Sequence, residues 1–344
     1  MPVSCSRIHP VVLVVCFTTI ATTCALTEGT EPYPPSEVIE KVSFAPVSSI
    51  VRKAIGSDNW PITWAHDDNL YTSYGDGWGF EPLTERKLSL GFAKIVGTAT
   101  GFTGMNIRSH SGERTGDGAS GPKASGLLMV EDFLYMWARN TGNSTLVWSA
   151  DHGKTWHWGF RFSTSFGCAT FLNFGRNYEG APDKYVYIYS QDGPSAYESY
   201  DRVVMARVPK DRINDRSSYE FFENLDSSGN PVWTSDVAKR GPVFTHPGRC
   251  QRMDIVYNAG IKRYLMVQGF NHDGGWGIFD SPQPWGPWTT AFYTERWDCG
   301  STHGYRLPTK WISKGGRTMY LVYSGRGEWD AFCVRKMTLT LRQR

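Results

Sequence analysis

Four aspartates stand among tryptophans, tyrosines and glycines in SDNWPITWAHDDNLYTSYGDGWGF, residues 57–80. Paired carboxylates are the groups that break glycosidic bonds. One, protonated, hands its proton to the leaving oxygen; the other, ionised, attacks carbon or activates water. Like-charge proximity and partial burial, here among Trp60, Trp78 and Phe80, divide such a pair into acid and base. Carboxyls about 5 Å apart retain configuration at the sugar carbon, whereas a gap of roughly 6.5–9.5 Å inverts it. Asp is also a common turn former. The chemistry therefore depends on which of Asp58, Asp67, Asp68 and Asp76 the chain brings together.

The positioning elements read as short strands bounded by Gly, Asp, Asn or Pro. They recur. NLYTSYGDG, FLYMWARNT, YVYIYSQDG, RYLMVQGFN and TMYLVYSGRG each carry a tyrosine, Tyr71, Tyr135, Tyr187, Tyr264 and Tyr320, at spacings of 64, 52, 77 and 56 residues. Each run follows another strand candidate (WPITWA, GLLMV, ATFLNF, MDIVYN, RLPTKW), and further strands follow it. A repeat of this length with several strands per unit is the mark of propeller blades, about four strands each. The expected fold is all-β, a five-bladed β-propeller, with an irregular β-sandwich as the alternative. SADHGKTW, residues 149–156, has the S-x-D-x-G-x-T-W form of an Asp box, a turn between two outer strands. Asp151 is expected to bond backbone amides there and Trp156 to pack between sheets.

Antiparallel strands sort the acids. The start of a first strand and the end of the second share one rim, and the turn between them lies on the opposite face. With strands over 60–65 and 70–75, Asp58 and Asp76 share a rim, while Asp67 and Asp68 in HDDN form the far turn. Asp58 and Asp76, 18 residues apart, are the candidate catalytic pair. Asn140 and Asp192 occupy the position of Asp76 in later units. Trp60, Trp78, Asn140, Asp192, Arg252, His303 and Tyr305 are the candidate substrate-binding residues. Rings stack on sugar C–H faces and polar groups bond hydroxyls. His272 and Asp273 are expected to shape a loop, and Asp254 to line the channel or partner Arg252.

The whole chain has 344 residues, a formal net charge of +3, 20% charged and 40% hydrophobic residues. That is a globular composition, without the basic footprint of a nucleic-acid binder. The run VVLVVCFTTIATTCA, preceded by Arg7 and His9, reads as a secretory signal over residues 1–25, too short to span a bilayer. A polar leader over 26–45 and one propeller domain over 46–344 should follow, secreted and without a membrane anchor. In an exported chain, Cys168, Cys250, Cys299 and Cys333 suggest two disulfides in one of three pairings. Asn143-Ser144-Thr145 is a glycosylation sequon. No CxxC pair suggests zinc and no D-x-D-x-D-G loop suggests calcium; no metal or cofactor is expected.

DNWPITWAHDDNLYTSYGDGWGF and GIFDSPQPWGPWTTAFYTERWD resemble a family catalogued as a domain of unknown function, DUF4185, now linked to endo-D-arabinanase glycoside hydrolases. The resemblance extends over most of residues 45–342. It implies a secreted five-bladed propeller with Asp58 and Asp76 as the acidic pair, acting on a polysaccharide with arabinan-like, furanosidic linkages. Two other functions fit the residues: a non-catalytic, lectin-like carbohydrate-binding propeller, and a propeller whose faces bind proteins.

Overall fold

The computed structural model describes Met1 and residues 31–270, 274–325 and 330–343. The N-terminal apolar run, His272 and Asp273 lie outside the described residues.

The described residues form strands and short 3-10 turns. The first sheet runs Ile62–Trp64, Leu70–Tyr74, Gly91–Thr98 and Gly101–Ile107, each antiparallel to the next. The second repeats the pattern with Lys123–Val130, Phe133–Arg139, Thr145–Ser149 and His157–Arg161. A ten-stranded sheet follows. One part is Thr170–Asn173, Tyr185–Gln191, Tyr200–Pro209, Glu220–Leu225 and Pro231–Thr234, with Pro242–Cys250 added beside Tyr200–Pro209. The other is Met253–Asn258, Arg263–Gly269, Trp276–Ser281 and Thr289–Thr294. The two parts join where Leu172 and Asn173 pair in parallel with Ile255 and Val256. The last sheet holds Thr302–Arg306, Thr318–Gly325 and Phe332–Leu341.

The N-terminal side completes that last sheet. Ile39–Phe44 pairs antiparallel with Phe332–Leu341, and Val51–Lys53 pairs with the same strand. The leader expected over 26–45 is therefore structural in its second half. Joining the two ends of the chain in one sheet fixes the last sheet beside the first.

All five repeat tyrosines lie in the second strand of their units. Those strands are buried on both faces: every residue of Leu70–Tyr74, and six of seven in Phe133–Arg139. Outer strands such as His157–Arg161 are half-buried or exposed along their length. Strands covered on both faces read as continuous apolar runs, so these segments lack a clean alternation. The apolar clusters lie between neighbouring sheets. Trp60, Ile62 and Leu70 of the first meet Val322, Phe332 and Val334 of the last. Tyr71 and Phe92 meet Leu127, Met129 and Trp156 of the second. Val256 and Leu265 meet Leu321 and Met337.

The Asp-box turn forms as its residues dictate. Thr155 donates to Asp151 from both its backbone N–H (2.8 Å) and its hydroxyl (2.7 Å), and Gly153 N–H donates to Ser149 Oγ at 2.8 Å. Trp156 stacks on Phe92 of the first sheet, ring centroids 4.7 Å apart.

The four cysteines correct the disulfide expectation: all are free thiols. Cys250 donates to His246 O at 3.6 Å, and Cys299 Sγ lies 3.4 Å from the Tyr323 hydroxyl. Burial pushes the Cys250 thiol up to about 12 and that of Cys333 up to about 11. The sequon asparagine, Asn143, is buried with its side-chain oxygen on Ser144 N–H, so it offers no glycan site in the folded chain.

Candidate active site

The Asp58–Asp76 hairpin closes as the strand argument requires. Asp58 N–H donates to Gly75 O at 2.9 Å and Gly75 N–H donates to Asp58 O at 2.8 Å. This sets Asp58 directly across from the residue before Asp76. Ser57 Oγ then accepts from Trp78 N–H (3.1 Å) and Gly79 N–H (3.0 Å), fastening the segment that leaves the second strand. Asp76 has φ of +44°, a left-handed conformation that Asp tolerates better than most residues. The far turn holds the other two acids. Asp67 takes Asn69 N–H at 3.1 Å, the Tyr71 hydroxyl at 3.0 Å and Lys94 Nζ at 2.9 Å. Burial pushes its carboxyl up, but these donors outweigh burial and hold it well below the usual carboxylate range. Asp68 accepts from Trp64 Nε1 at 2.9 Å.

Asp76 is clamped. Its Oδ1 pairs with Lys123 Nζ, and its Oδ2 takes Gly118 N–H at 3.0 Å. Lys123 enters the inner strand of the second sheet and its side chain is 2% exposed, so its ammonium has been drawn out of water toward this carboxylate. Asp58 is held differently. Its Oδ1 is buried and, among the described residues, accepts no hydrogen bond. Its Oδ2 lies 3.9 Å from His303 Nε2, which is itself 3.5 Å from Asp330 Oδ1. A Cβ on Gly75 would fall 2.7 Å from Asp58 Oδ1 and 3.4 Å from Lys123 Nζ. Glycine at this position lets the Asp58 carboxylate and the ammonium that holds Asp76 approach the same point. Asp58, His303 and Asp330 each offer one donor atom, all within 4.8 Å of one another. This set of two carboxylates and an imidazole could hold a cation. No spacing rule reveals it, because its members come from three distant segments.

The remaining expected site residues divide. Trp78 is 36% exposed and stays on the rim. Arg252 starts the inner strand of its unit, as Asp58 does, and donates from Nε to Ala196 O at 3.1 Å. Asn140 fastens a loop: its amide donates to Gly121 O at 2.9 Å and to the Tyr197 hydroxyl at 3.1 Å. Tyr197 in turn donates at 2.7 Å to the carbonyl of Gly118, the residue whose N–H holds Asp76.

Three expectations need correction. Trp60 is wholly buried, edge-on to Phe332 at 5.0 Å with its indole N–H on Ala331 O at 3.0 Å. It anchors the hairpin and has no face for a sugar. Tyr305 is buried against Trp276, stacked at 4.5 Å, with its hydroxyl 2.8 Å from that of Thr302. Asp192 is enclosed by Arg202 Nε at 2.6 Å, Arg240 Nε at 2.7 Å and the Ser165 hydroxyl at 2.6 Å. Burial raises its pKa, but these three donors prevail and lower it. It is a structural ion pair. Asp254 partners Arg306 (3.6 Å) and accepts Leu307 N–H at 3.0 Å; burial pushes its carboxyl up to about 6 against the pull of Arg306.

Lys123, Arg139, Tyr197 and Asp330 were missed in the sequence. For Lys123 and Arg139 a signal existed: each is a cation at the end of an apolar strand run, GPKASGLLMV (inner strand) and FLYMWARN (second strand). Burying a charge is costly unless it is paired, so such a residue should have a carboxylate or ligand waiting.

A family model described as a domain of unknown function, DUF4185, matches residues 127–337, more than half of the chain. The chain belongs to the DUF4185 family. The match begins after the Asp58–Asp76 hairpin, so it is shorter than the resemblance read over 45–342 and leaves the acid pair outside. No curated protein sequence matches this DUF4185 chain. A solved structure described as RS223-Beta-xylosidase is similar at 12% identity, covering 88% of this chain and 98% of that one, with a TM-score of 0.50. The GH43_1 enzyme from Xanthomonas citri is similar at 13% identity, covering 88% of this chain and 94% of its own, also at 0.50. At such identity the likeness is one of fold, and the fold of the DUF4185 chain is propeller-like.

Proposed function

We propose that the protein is an exported glycoside hydrolase on a five-bladed propeller, cleaving an arabinan-like polysaccharide with furanosidic linkages. The observation that carries this reading is the Asp58–Asp76 hairpin. It sets two carboxylates at one rim about Lys123, one clamped and the other with an oxygen that accepts no hydrogen bond among the described residues. The five strand units, with the last packed on the first, support the blade count. The fold likeness to a β-xylosidase and to a GH43_1 enzyme supports glycosidic chemistry. The arabinan-like substrate rests on the family resemblance, and export on the N-terminal apolar run.

In the proposed reaction the bond between the anomeric carbon and the leaving oxygen breaks. One carboxyl supplies the proton that the leaving oxygen takes. The other, ionised, attacks the anomeric carbon or removes a proton from the water that does so. Lys123 and Gly118 N–H keep Asp76 in one orientation, and Asp58, its side chain 13% exposed, supplies the second carboxyl. Trp78 offers the exposed ring on which a sugar stacks. The test is incubation of the full chain with D-arabinan, L-arabinan and xylan, with products read by chromatography. Release of oligosaccharides from an arabinan supports the reading. Binding to the same glycans without release would favour the lectin-like alternative.

A further inference from the structure

Around Asp58 the structure holds more buried positive charge than the proposed hydrolysis needs. Arg139 ends the second strand of its sheet and is 1% exposed. Its Nη2 reaches Asn59 Oδ1 at 3.5 Å, but its Nε and Nη1 are buried without a partner. Among the described residues it has no carboxylate partner. Its guanidinium lies 5.2 Å from the centre of the Tyr197 ring, and that of Arg252 lies 5.1 Å from the same ring. Arg252 uses Nε on Ala196 O; among the described residues neither of its terminal nitrogens makes a hydrogen bond. The other nearby cations are matched: Lys123 by Asp76 and Arg306 by Asp254. Among the described residues neither Arg139 nor Arg252 has a carboxylate within ion-pair distance, although Asp58 lies close enough to act on Arg252. Burial and the like charge of Arg139 together bring Arg252 down to about 10, with Cys168, Asp58 and Tyr197 opposing.

A buried and a half-buried guanidinium sharing one ring repel each other, and the unpaired buried N–H groups of Arg139 are unfavourable. An oxyanion relieves both, and the planar fork of an arginine fits a carboxylate, sulfate or phosphate through two parallel bonds. Tyr197 gives the location its second purpose. Its hydroxyl holds Gly118, whose N–H holds Asp76, so a group bound on Arg252 lies beside the catalytic pair.

We propose that Arg252, backed by Arg139 across Tyr197, is a subsite for an oxyanion carried on the sugar, which makes the preferred substrate an acidic glycan. This rests on the reading that the rim beside Asp58 takes a sugar, but not on its being cleaved there.

The experiment is calorimetric titration of the full chain with three probes: trigalacturonate, neutral xylotriose and inorganic sulfate. The expected result is that trigalacturonate binds at least about tenfold more tightly than xylotriose, as a charge-assisted bidentate contact implies, and that sulfate competes only weakly. Arg252→Gln should remove that preference, and Arg252→Lys should restore part of it. Arg139→Gln tests the backing residue, and thermal melts separate lost binding from lost folding. Arg252 is partly exposed, so its variants remain informative if Arg139→Gln does not fold. Equal binding of the charged and neutral trisaccharides, or a preference unchanged in Arg252→Gln, overturns the subsite. Sulfate binding as tightly as trigalacturonate overturns the claim that the anion is carried on a sugar. Tight, Arg252-dependent binding without cleavage of any glycan would leave the subsite standing and sink the hydrolase.

Discussion

Gly75→Ala is the smallest change that acts on the proposed chemistry. Gly75 does not have a positive φ, so alanine meets no backbone strain and the whole effect comes from one methyl group. That methyl would stand 2.7 Å from Asp58 Oδ1, 3.2 Å from Ser89 O and 3.4 Å from Lys123 Nζ. Non-bonded carbon contacts settle at about 3.5–4.0 Å, so the carboxylate must retreat by the better part of an ångström. The Asp58 backbone cannot follow, because both its hydrogen bonds go to Gly75 itself. The side chain must therefore rotate. Overpacking of this kind costs about 1–3 kcal/mol of stability, measurable by urea unfolding. A misplacement of that size at a reacting group lowers the rate by roughly 100-fold. Initial rates on the polysaccharide that the wild type cleaves should show the loss in kcat, with KM within a few-fold. A Gly75→Ala enzyme with wild-type kcat would show that the placement of the Asp58 carboxyl does not matter to the reaction.

Three further outcomes follow from the same contacts. Asp76→Asn leaves the buried Lys123 ammonium without its carboxylate and should destabilise by about 3 kcal/mol, Lys123→Met, which leaves a half-buried Asp76 still on Gly118 N–H, by less, and the double variant by clearly less than the sum; additivity in urea unfolding would refute the coupling. Burial and the charge of Arg249 bring His246 down to about 4, against the pull of Glu295. The unfolded chain therefore takes up that proton first, and stability present above about pH 6.5 is lost as pH falls toward 4, by roughly 3 kcal/mol. His246→Phe should lack this part of the loss, and unfolding curves that keep the same pH difference would contradict it. Thiol titration of the denatured chain without reductant should find Cys168, Cys250, Cys299 and Cys333 all reactive; protected pairs would restore the disulfide expectation.

What was legible in the sequence followed from period and turn chemistry. The tyrosine repeat marked the second strands because each is covered on both faces and so is written in large apolar residues. Asp58 and Asp76 could be placed on one rim because an antiparallel hairpin leaves no other arrangement, and Asp67 and Asp68 fell to the far turn for the same reason. Exposure was not legible. Trp60 and Tyr305 look like sugar platforms by type, but a hairpin pressed against a neighbouring sheet buries whichever ring faces that sheet. Asp192 shares its position with Asp76, yet Arg202 on the next strand of its own unit and Arg240, 48 residues on, enclose it. The trio of Asp58, His303 and Asp330 is likewise a product of ring closure, which brings the last sheet beside the first. The cysteines misled because an even count is a rule about compartment and says nothing of distance.

The central claim is that Asp58 acts directly on the glycosidic bond. The measurement that tests it most directly is the chromatographic product profile of Asp58→Asn beside wild type, on the same polysaccharide and with matched thermal melts. The account predicts that the wild type releases oligosaccharides and that the variant, folded and still able to bind the glycan, releases none. A folded Asp58→Asn protein that releases the same products at the wild-type rate would contradict it.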